Sequence, residues 1–243
     1  MILALSACKK AEVPSNCEDL HWSYNGENSA EHWDKVCTAY SACGGQAQSP
    51  VDILGAVVDS ALMPLQMNYK NSQTNIYNNG HTLQYNYTAG STLTLDSMVY
   101  DLVQFHFHAG SEHSIDGSRY PAELHLVHQN AATGAVAVVG IMFTLGAEDS
   151  LLNQLFNKLP EAEGLYYRSS SEFNIMKLIP ASSNYYTYSG SITEPPCSEN
   201  VSWFVMSKPV EASNMQINKM TKLFYSNARP IQALNGRTIN TMK

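Results

Sequence analysis

Residues 104–128, QFHFHAGSEHSIDGSRYPAELHLVH, constrain this chain more than any other stretch. The pattern predicts two strands separated by a turn region, at 110–120, that carries Gly and Ser. Side chains on a strand alternate faces, so residues two apart project together. His106 and His108 therefore share one face of the first strand. On the second, Glu123, His125 and Val127 share a face, and Leu124, Leu126 and His128 take the other. If the strands are neighbours, His125 meets the His106/His108 pair. Three neutral imidazoles around one point, with a fourth position open, are the ligand set of a catalytic zinc site.

A single buried histidine is more often a hydrogen-bonded core residue than a ligand, and His113 and His128 are read that way. The other three have polar company on their own strands. Gln104 stands two residues before His106 and shares its face, and Glu123 stands in the same relation to His125. A metal-bound imidazole needs its second ring nitrogen held by an acceptor, which fixes tautomer and orientation. A Glu on a strand otherwise reading Leu-His-Leu-Val is costly to bury without such a role. The pattern favours the metal.

The series of motifs around this stretch resembles the α-class carbonic anhydrases, in their bacterial, exported form. The resemblance rests on FHFHAGSEHSIDG followed by AELHLVH. It extends to EHWDK at 31–35, QSPVDI at 48–53, NNGH at 78–81, YYTYSGSITEPPC at 185–197, VSWFV at 201–205 and NARPIQ at 227–232. These motifs come in the family's order and span the chain from about residue 20 to its end. The resemblance implies a mixed α/β, β-dominated single domain. Its core is a large, mostly antiparallel, twisted central sheet with a few short peripheral helices. Residues 17–243 form that catalytic domain, and 1–16 are set aside as a signal or lipoprotein remnant and tail.

The chain itself agrees with one domain. Its 243 residues suffice for one substantial core, and no linker, repeat or low-complexity block divides them. Short alternating runs between 64 and 108 (LQMNY, IYNNG, LQYNY, LTLDS) predict antiparallel strands. AVAVVGIMF at 135–143 reads as a strand buried on both faces. SLLNQLFNKLP at 150–160 has helical spacing, with Ser150 as N-cap and Pro160 as stop, and a second short helix is expected near 211–226. Residues 18–45 look irregular, their aromatics plugging the segment onto the core. A net charge of −7 without a basic run argues against a nucleic-acid partner, and no stretch is long and apolar enough for a membrane helix.

The first eight residues, MILALSAC, resemble the end of a bacterial lipoprotein signal, with Cys8 as the lipid-bearing residue and Lys9 and Lys10 after it. Cys17, Cys37, Cys43 and Cys197 remain, and four cysteines allow three pairings. Bacterial relatives commonly bridge the position of Cys197 to a Cys just before QSP, which implies Cys43–Cys197 and leaves Cys17 with Cys37. Such bridges imply an oxidising compartment, periplasmic or at the cell envelope.

The remaining roles are carried over from the family. The reaction implied is reversible hydration of carbon dioxide to bicarbonate and a proton, by hydroxide held on one zinc ion per chain at His106, His108 and His125. Thr193 matches the gatekeeper that accepts a hydrogen bond from this hydroxide and donates to Glu112. Gln104, Glu123 and the backbone carbonyl of Asn227 are the expected partners of the three rings. Val127, Val138, Ile192, Val201 and Trp203 match the apolar pocket for carbon dioxide, Ile192 standing where Leu is usual. His81 matches the proton shuttle, and Tyr24, Asn79 and Gln84 the positions that hold the intervening waters. Glu194 departs from the family, which usually has Thr after the gatekeeper; a carboxylate there disfavours bicarbonate and anionic inhibitors, or adds a proton acceptor. Sulfonamide and anion inhibitors are the other expected ligands. Bacterial relatives are often homodimers, though no interface is marked in this chain. The competing reading is a catalytically silent binding module, but such relatives have lost one of the three histidines, and all three stand here.

Overall fold

The computed structural model describes residues 20–224 and 227–242, together with Val13 and Cys17. The lipoprotein reading of 1–8, Cys8 included, lies outside the described residues. In the first half of the chain the strands are β1 (Asp52–Ile53), β2 (Val57–Val58), β3 (Gln66–Asn68), β4 (Ser72–Asn78), β5 (Leu83–Asn86), β6 (Thr92–Leu95), β7 (Met98–Ala109), β8 (Ser114–Ile115) and β9 (Ser118–Arg119). In the second half they are β10 (Ala122–Gln129), β11 (Val136–Leu145), β12 (Tyr166–Phe173), β13 (Tyr185–Ser191), β14 (Glu199–Met206), β15 (Val210–Ala212) and β16 (Asn240–Thr241). The helices are short: α1 (Trp33–Val36), α2 (Ser150–Leu155) and α3 (Asn214–Leu223), with 3-10 turns at Thr38–Gly44 and Ile175–Leu178.

The main sheet runs β12-β4-β5-β7-β10-β11-β14-β13-β16-β2, so the two histidine-bearing strands, β7 and β10, sit at its centre. Most pairs are antiparallel, as expected, while β11 runs parallel to β14 and β15, and β16 to β2. The continuous apolar run forms β11, buried along nearly its whole length between β10 and β14.

Alternation sorts the centre of the sheet into two faces. Phe105, Phe107, Leu124, Leu126, Val139, Ile141 and Phe143 join one large apolar cluster. There Phe107 packs on Phe156 and Phe224, at ring distances of 5.1 and 5.9 Å, the residues that end α2 and α3. Each such buried side chain contributes roughly 1.5–3 kcal/mol. The intervening residues, His106, His108 and His125, are thereby turned to the opposite face, with Val138, Val201 and Trp203.

α2 differs from expectation at both ends. Asp149, not Ser150, is its N-cap, its carboxylate accepting from the Leu152 amide at 2.9 Å, and the helix ends at Leu155, well before Pro160. An ionised acceptor aimed at the helix start outcompetes a hydroxyl one residue later. At the other end, burial of Phe156 against Phe107 turns the chain before Pro160 is reached. The second helix falls within the expected window as α3, which carries a full capping box between Ser213 and Gln216.

Candidate metal centre

The register of β10 on β7 sets His125 directly opposite His106, and Glu123 opposite His108. A slip of β10 by one residue would turn His125 and Glu123 to the apolar face, away from His106 and His108. In this register the ring centroids are 5.0 Å (His106–His108), 5.3 Å (His106–His125) and 4.5 Å (His108–His125) apart. One nitrogen from each ring falls within 4.8 Å of the other two.

Each second nitrogen is held. His106 Nδ1 donates to Gln104 Oε1 at 2.9 Å, His108 Nδ1 to the Asn227 carbonyl at 2.6 Å, and His125 Nε2 to Glu123 Oε1 at 3.0 Å. The free nitrogens that converge are therefore Nε2 of His106 and His108 and Nδ1 of His125. Glu123 is itself fixed: its two oxygens accept from the His113 ring at 2.8 Å and the His113 amide at 2.9 Å. His113 Nε2 in turn meets Tyr188 Oη at 2.7 Å, and that hydroxyl bonds Ser49 Oγ at 2.8 Å. The second histidine–carboxylate group, His113, Glu123 and His125, is thus a closed hydrogen-bonded support.

Burial, the largest influence on all three rings, holds His106 well below the usual histidine range, lowers His108 to about 4 and lowers His125. They are neutral at pH 7, the form that binds a metal. Burial raises Glu123, but the His113 and His125 rings outweigh it and bring its carboxyl well below the usual range. One anion beneath three neutral ligands suits a divalent cation. Among the described residues three buried side-chain atoms lack hydrogen-bond partners, Arg229 Nε and, at the site, His108 Nε2 and Glu112 Oε2, the last 3.5 Å from His108 Nε2 and 3.8 Å from His125 Nδ1. An orphaned imidazole nitrogen aimed at two others is what zinc would satisfy. The donor set fits zinc.

A cavity of about 70 Å³ opens beside the cluster, lined by Gln104, His106, His125, Val127, Val138, Ile192, Thr193, Glu194 and Trp203. Val201 does not line it; it is buried behind, in the cluster that contains Val138 and Trp203. Burial raises the Glu112 carboxyl, the neighbouring Thr193 side chain opposes that rise, and Glu112 Oε1 accepts from the Arg229 amide at 2.7 Å. The turn that carries Thr193 and Glu194 closes with Cys197 N–H donating to the Glu194 carbonyl at 2.8 Å, and the Cys43–Cys197 disulfide ties it down. A second disulfide joins Cys17 to Cys37.

The expected proton-path residues lie outside the cavity wall. His81 stacks on Trp22, ring centroids 3.6 Å apart, and burial lowers its proton affinity despite the opposing pull of Glu163. Asn79 uses its side-chain oxygen on the amides of His81 and Thr82, at 2.9 and 2.7 Å, and Gln84 bonds Asn86 at 2.6 Å. Tyr24 Oη donates to Glu194 Oε1 at 3.2 Å. His128, on the apolar face, is held by Tyr69 Oη at 2.7 Å.

Three residues that position the site were not singled out from the sequence. Arg229, 1% exposed, donates to Gln48 Oε1, the Ser49 carbonyl and the Cys43 carbonyl, locking the QSP segment to the strand end beneath Glu112. Gly140 stands opposite His125, where a Cβ would come within 3.0 Å of Glu123 Oε1. Trp22 covers His81. The NARPIQ and AVAVVGIMF runs contained the first two, but nothing in either run says what they face.

The family model described as eukaryotic-type carbonic anhydrase matches residues 28–243. A carbonic anhydrase of Pectobacterium atrosepticum is 42% identical to this chain over 239 residues, which are 98% of this chain and 96% of that protein. Among solved structures, a hyperthermostable carbonic anhydrase identified from an active hydrothermal vent chimney matches with a TM-score of 0.88 at 41% identity, covering 92% of this chain and 100% of that one. The α-carbonic anhydrase of Thermovibrio ammonificans, solved in complex with the inhibitor sulfanilamide, matches with a TM-score of 0.87 at 38% identity, over 92% and 99% of the two chains.

Proposed function

The chain belongs to the eukaryotic-type, or α-class, carbonic anhydrase family, and we infer from this and from the site that His106, His108 and His125 hold one zinc ion per chain. The reaction is the reversible hydration of carbon dioxide to bicarbonate and a proton. The observation that carries the assignment of ligands is the convergence of three neutral rings, each with its second nitrogen already occupied. When bound, zinc supplies the Lewis acidity that lets a water molecule ionise near pH 7, a value taken over from the family's known chemistry.

The chain's own residues then have separate tasks. Glu112 accepts the Thr193 proton, so the Thr193 oxygen is left as an acceptor; it orients the nucleophile with a lone pair toward the cavity. Val127, Val138, Ile192 and Trp203 give carbon dioxide an apolar wall, with Val201 packed behind it. Glu194, the carboxylate in that wall, disfavours anions at the metal. His81 passes the proton to solvent along water held near Tyr24, Asn79 and Gln84. The same site takes sulfonamides, as the Thermovibrio relative takes sulfanilamide.

Residues 17–243 form the catalytic domain. Two disulfides support export to an oxidising compartment, and among the described residues no helix is long and apolar enough to cross a membrane. Attachment of the envelope protein through a lipid on Cys8 completes that reading, and a homodimer is its oligomeric form.

Stopped-flow hydration of carbon dioxide on zinc-quantified protein, with His106→Ala alongside, tests the assignment. One zinc per chain in the wild type, and a hydration rate that collapses with zinc content in the variant, are expected. A variant that retains both would remove His106 from the ligand set.

A further inference from the structure

Residues 20–30 form a strap over the mouth of the site that belongs to no strand. Trp22 lies on His81 with an interplanar angle of 13°, and Tyr24 donates to Glu194. Both rings also pack edge-on against the fully buried Trp33, at 5.0 and 5.6 Å, and Trp33 Nε1 donates to the Ser23 carbonyl at 2.8 Å. Among the described residues the strap's backbone–backbone bonds stay local, Leu20 to Cys17, Ser23 to Asn28, Ser29 to Gly26 and His32 to Ser29, and none reaches the central sheet. Its covalent anchor is the Cys17–Cys37 bridge, which ties the segment before the strap to the residue that ends α1. Cys17 is partly exposed while its partner Cys37 is 0% exposed, and Cys43 and Cys197 are 7% and 0% exposed, so Cys17 is the one of the four that solvent reaches most.

We propose that the Cys17–Cys37 bridge is a redox-sensitive latch: while closed it keeps Trp22 on His81 and Tyr24 on Glu194, and opened it frees the strap from the mouth while the three-histidine cluster stays assembled. The cluster stands on β7 and β10, whose pairings owe nothing to the strap. Opening takes a dithiol reductant. One thiolate attacks the Cys17 sulfur and displaces Cys37 as thiolate; the reductant's second sulfur then closes its own disulfide and releases Cys17. Two electrons and two protons pass from the reductant to the cysteine pair. The latch itself is independent of the metal; its effect on turnover rests on the reading of His81 as the group that carries the proton away.

The groups that face His81 fix the sign of the change. Trp22 and its neighbours desolvate the ring, and His21, on the strap, also disfavours its protonation. Glu163, which packs where a Gly80 Cβ would stand, favours protonation, and Glu161 and Lys222 line the cleft on the far side. Release of the strap removes both influences that lower the ring's proton affinity and leaves Glu163 in place, so His81 titrates higher.

Three samples of zinc-loaded full-length protein test this: oxidised wild type, wild type treated with dithiothreitol, and Cys17→Ser/Cys37→Ser, which retains Cys43 and Cys197. Amide hydrogen exchange and an NMR titration of the His81 ring are read on each. In the second and third samples, protection over 20–30 is expected to fall at least tenfold and the His81 titration to move to higher pH. Zinc stoichiometry and protection in β7 and β10 stay as in the first. Unchanged protection and an unchanged His81 titration would overturn the latch, and so would loss of protection throughout β7 and β10, which makes the bridge a general staple. Wild type without zinc or hydration activity would instead defeat the catalytic reading, and leave the exchange and titration results to decide the latch.

Discussion

Glu194 shows how much one side chain can change within a shared site. Its carboxylate lines the same small cavity as His106, His125 and Thr193, takes a hydrogen bond from Tyr24, and is pushed up to about 7 by burial and by the charge of Glu112. A Thr at this position could donate to a bound anion; an ionised carboxylate can only accept and repels it. In Glu194→Thr, inhibition by bicarbonate and other small anions at pH 7.5 is expected to strengthen severalfold, with zinc content unchanged. Inhibition constants equal to those of the wild type would remove Glu194 from anion discrimination. Beside it, Glu112 is anchored by the Arg229 amide, which holds its carboxylate next to Thr193.

At the scale of elements, the site is a property of the pairing of β7, β10 and β11. β7 brings two ligands on one pleat, β10 brings the third and the Glu123 that holds it, and β11 leaves room for both at Gly140. Gly140→Ala places a methyl against Glu123 Oε1 on a strand too well packed to move. Glu123 then gives by a few tenths of an ångström, and the His125 ring loses its alignment. Zinc affinity is expected to fall roughly tenfold, within the usual effect of disturbing a ligand's own hydrogen-bond partner. Competition with a chromophoric chelator measures it; a dissociation constant equal to that of the wild type would mean that Glu123 is not held by this contact.

For the whole molecule, several buried imidazoles make stability depend on pH. His128, wholly buried between Tyr69 and the Ala137 carbonyl, is lowered by that burial to about 4, and the three ligand rings shift in the same direction when zinc is absent. The unfolded chain takes up a proton at each near pH 6.5, whereas the folded one does so only at lower pH, near 4 for His108 and His128. Between those values the unfolded state therefore binds more protons, and stability falls as pH falls. His128 alone accounts for about 3 kcal/mol across that window. The Tm of zinc-free protein is expected to be level above pH 7 and to drop steeply from 6.5 to 4. A level Tm down to pH 4.5 would contradict the neutral burial of these rings. Zinc opposes the loss by mass action for as long as its ligands stay deprotonated.

The sequence by itself determined which histidines share a face, because a strand's two-residue period is a local rule: Gln104, His106 and His108, like Glu123 and His125, project together wherever their strands lie. It also marked a buried strand at 135–143, which the structure has as Val136–Leu145, and, through the family resemblance, the Cys43–Cys197 bridge. Only the tertiary structure decided what depends on register and on long-range approach. That His125 would stand opposite His106, that the Asn227 carbonyl would hold the His108 ring and that Arg229 would clamp the QSP segment depend on residues far apart along the chain, Arg229 and Cys43 being 186 apart, and no local pattern encodes them. The same holds for the strap. Its aromatics were legible as plugs for a core, but Trp22 on His81 and Tyr24 on Glu194 are long-range meetings that no local pattern encodes, because an aromatic ring's partner is chosen by shape, desolvation and the reach of its polar tip.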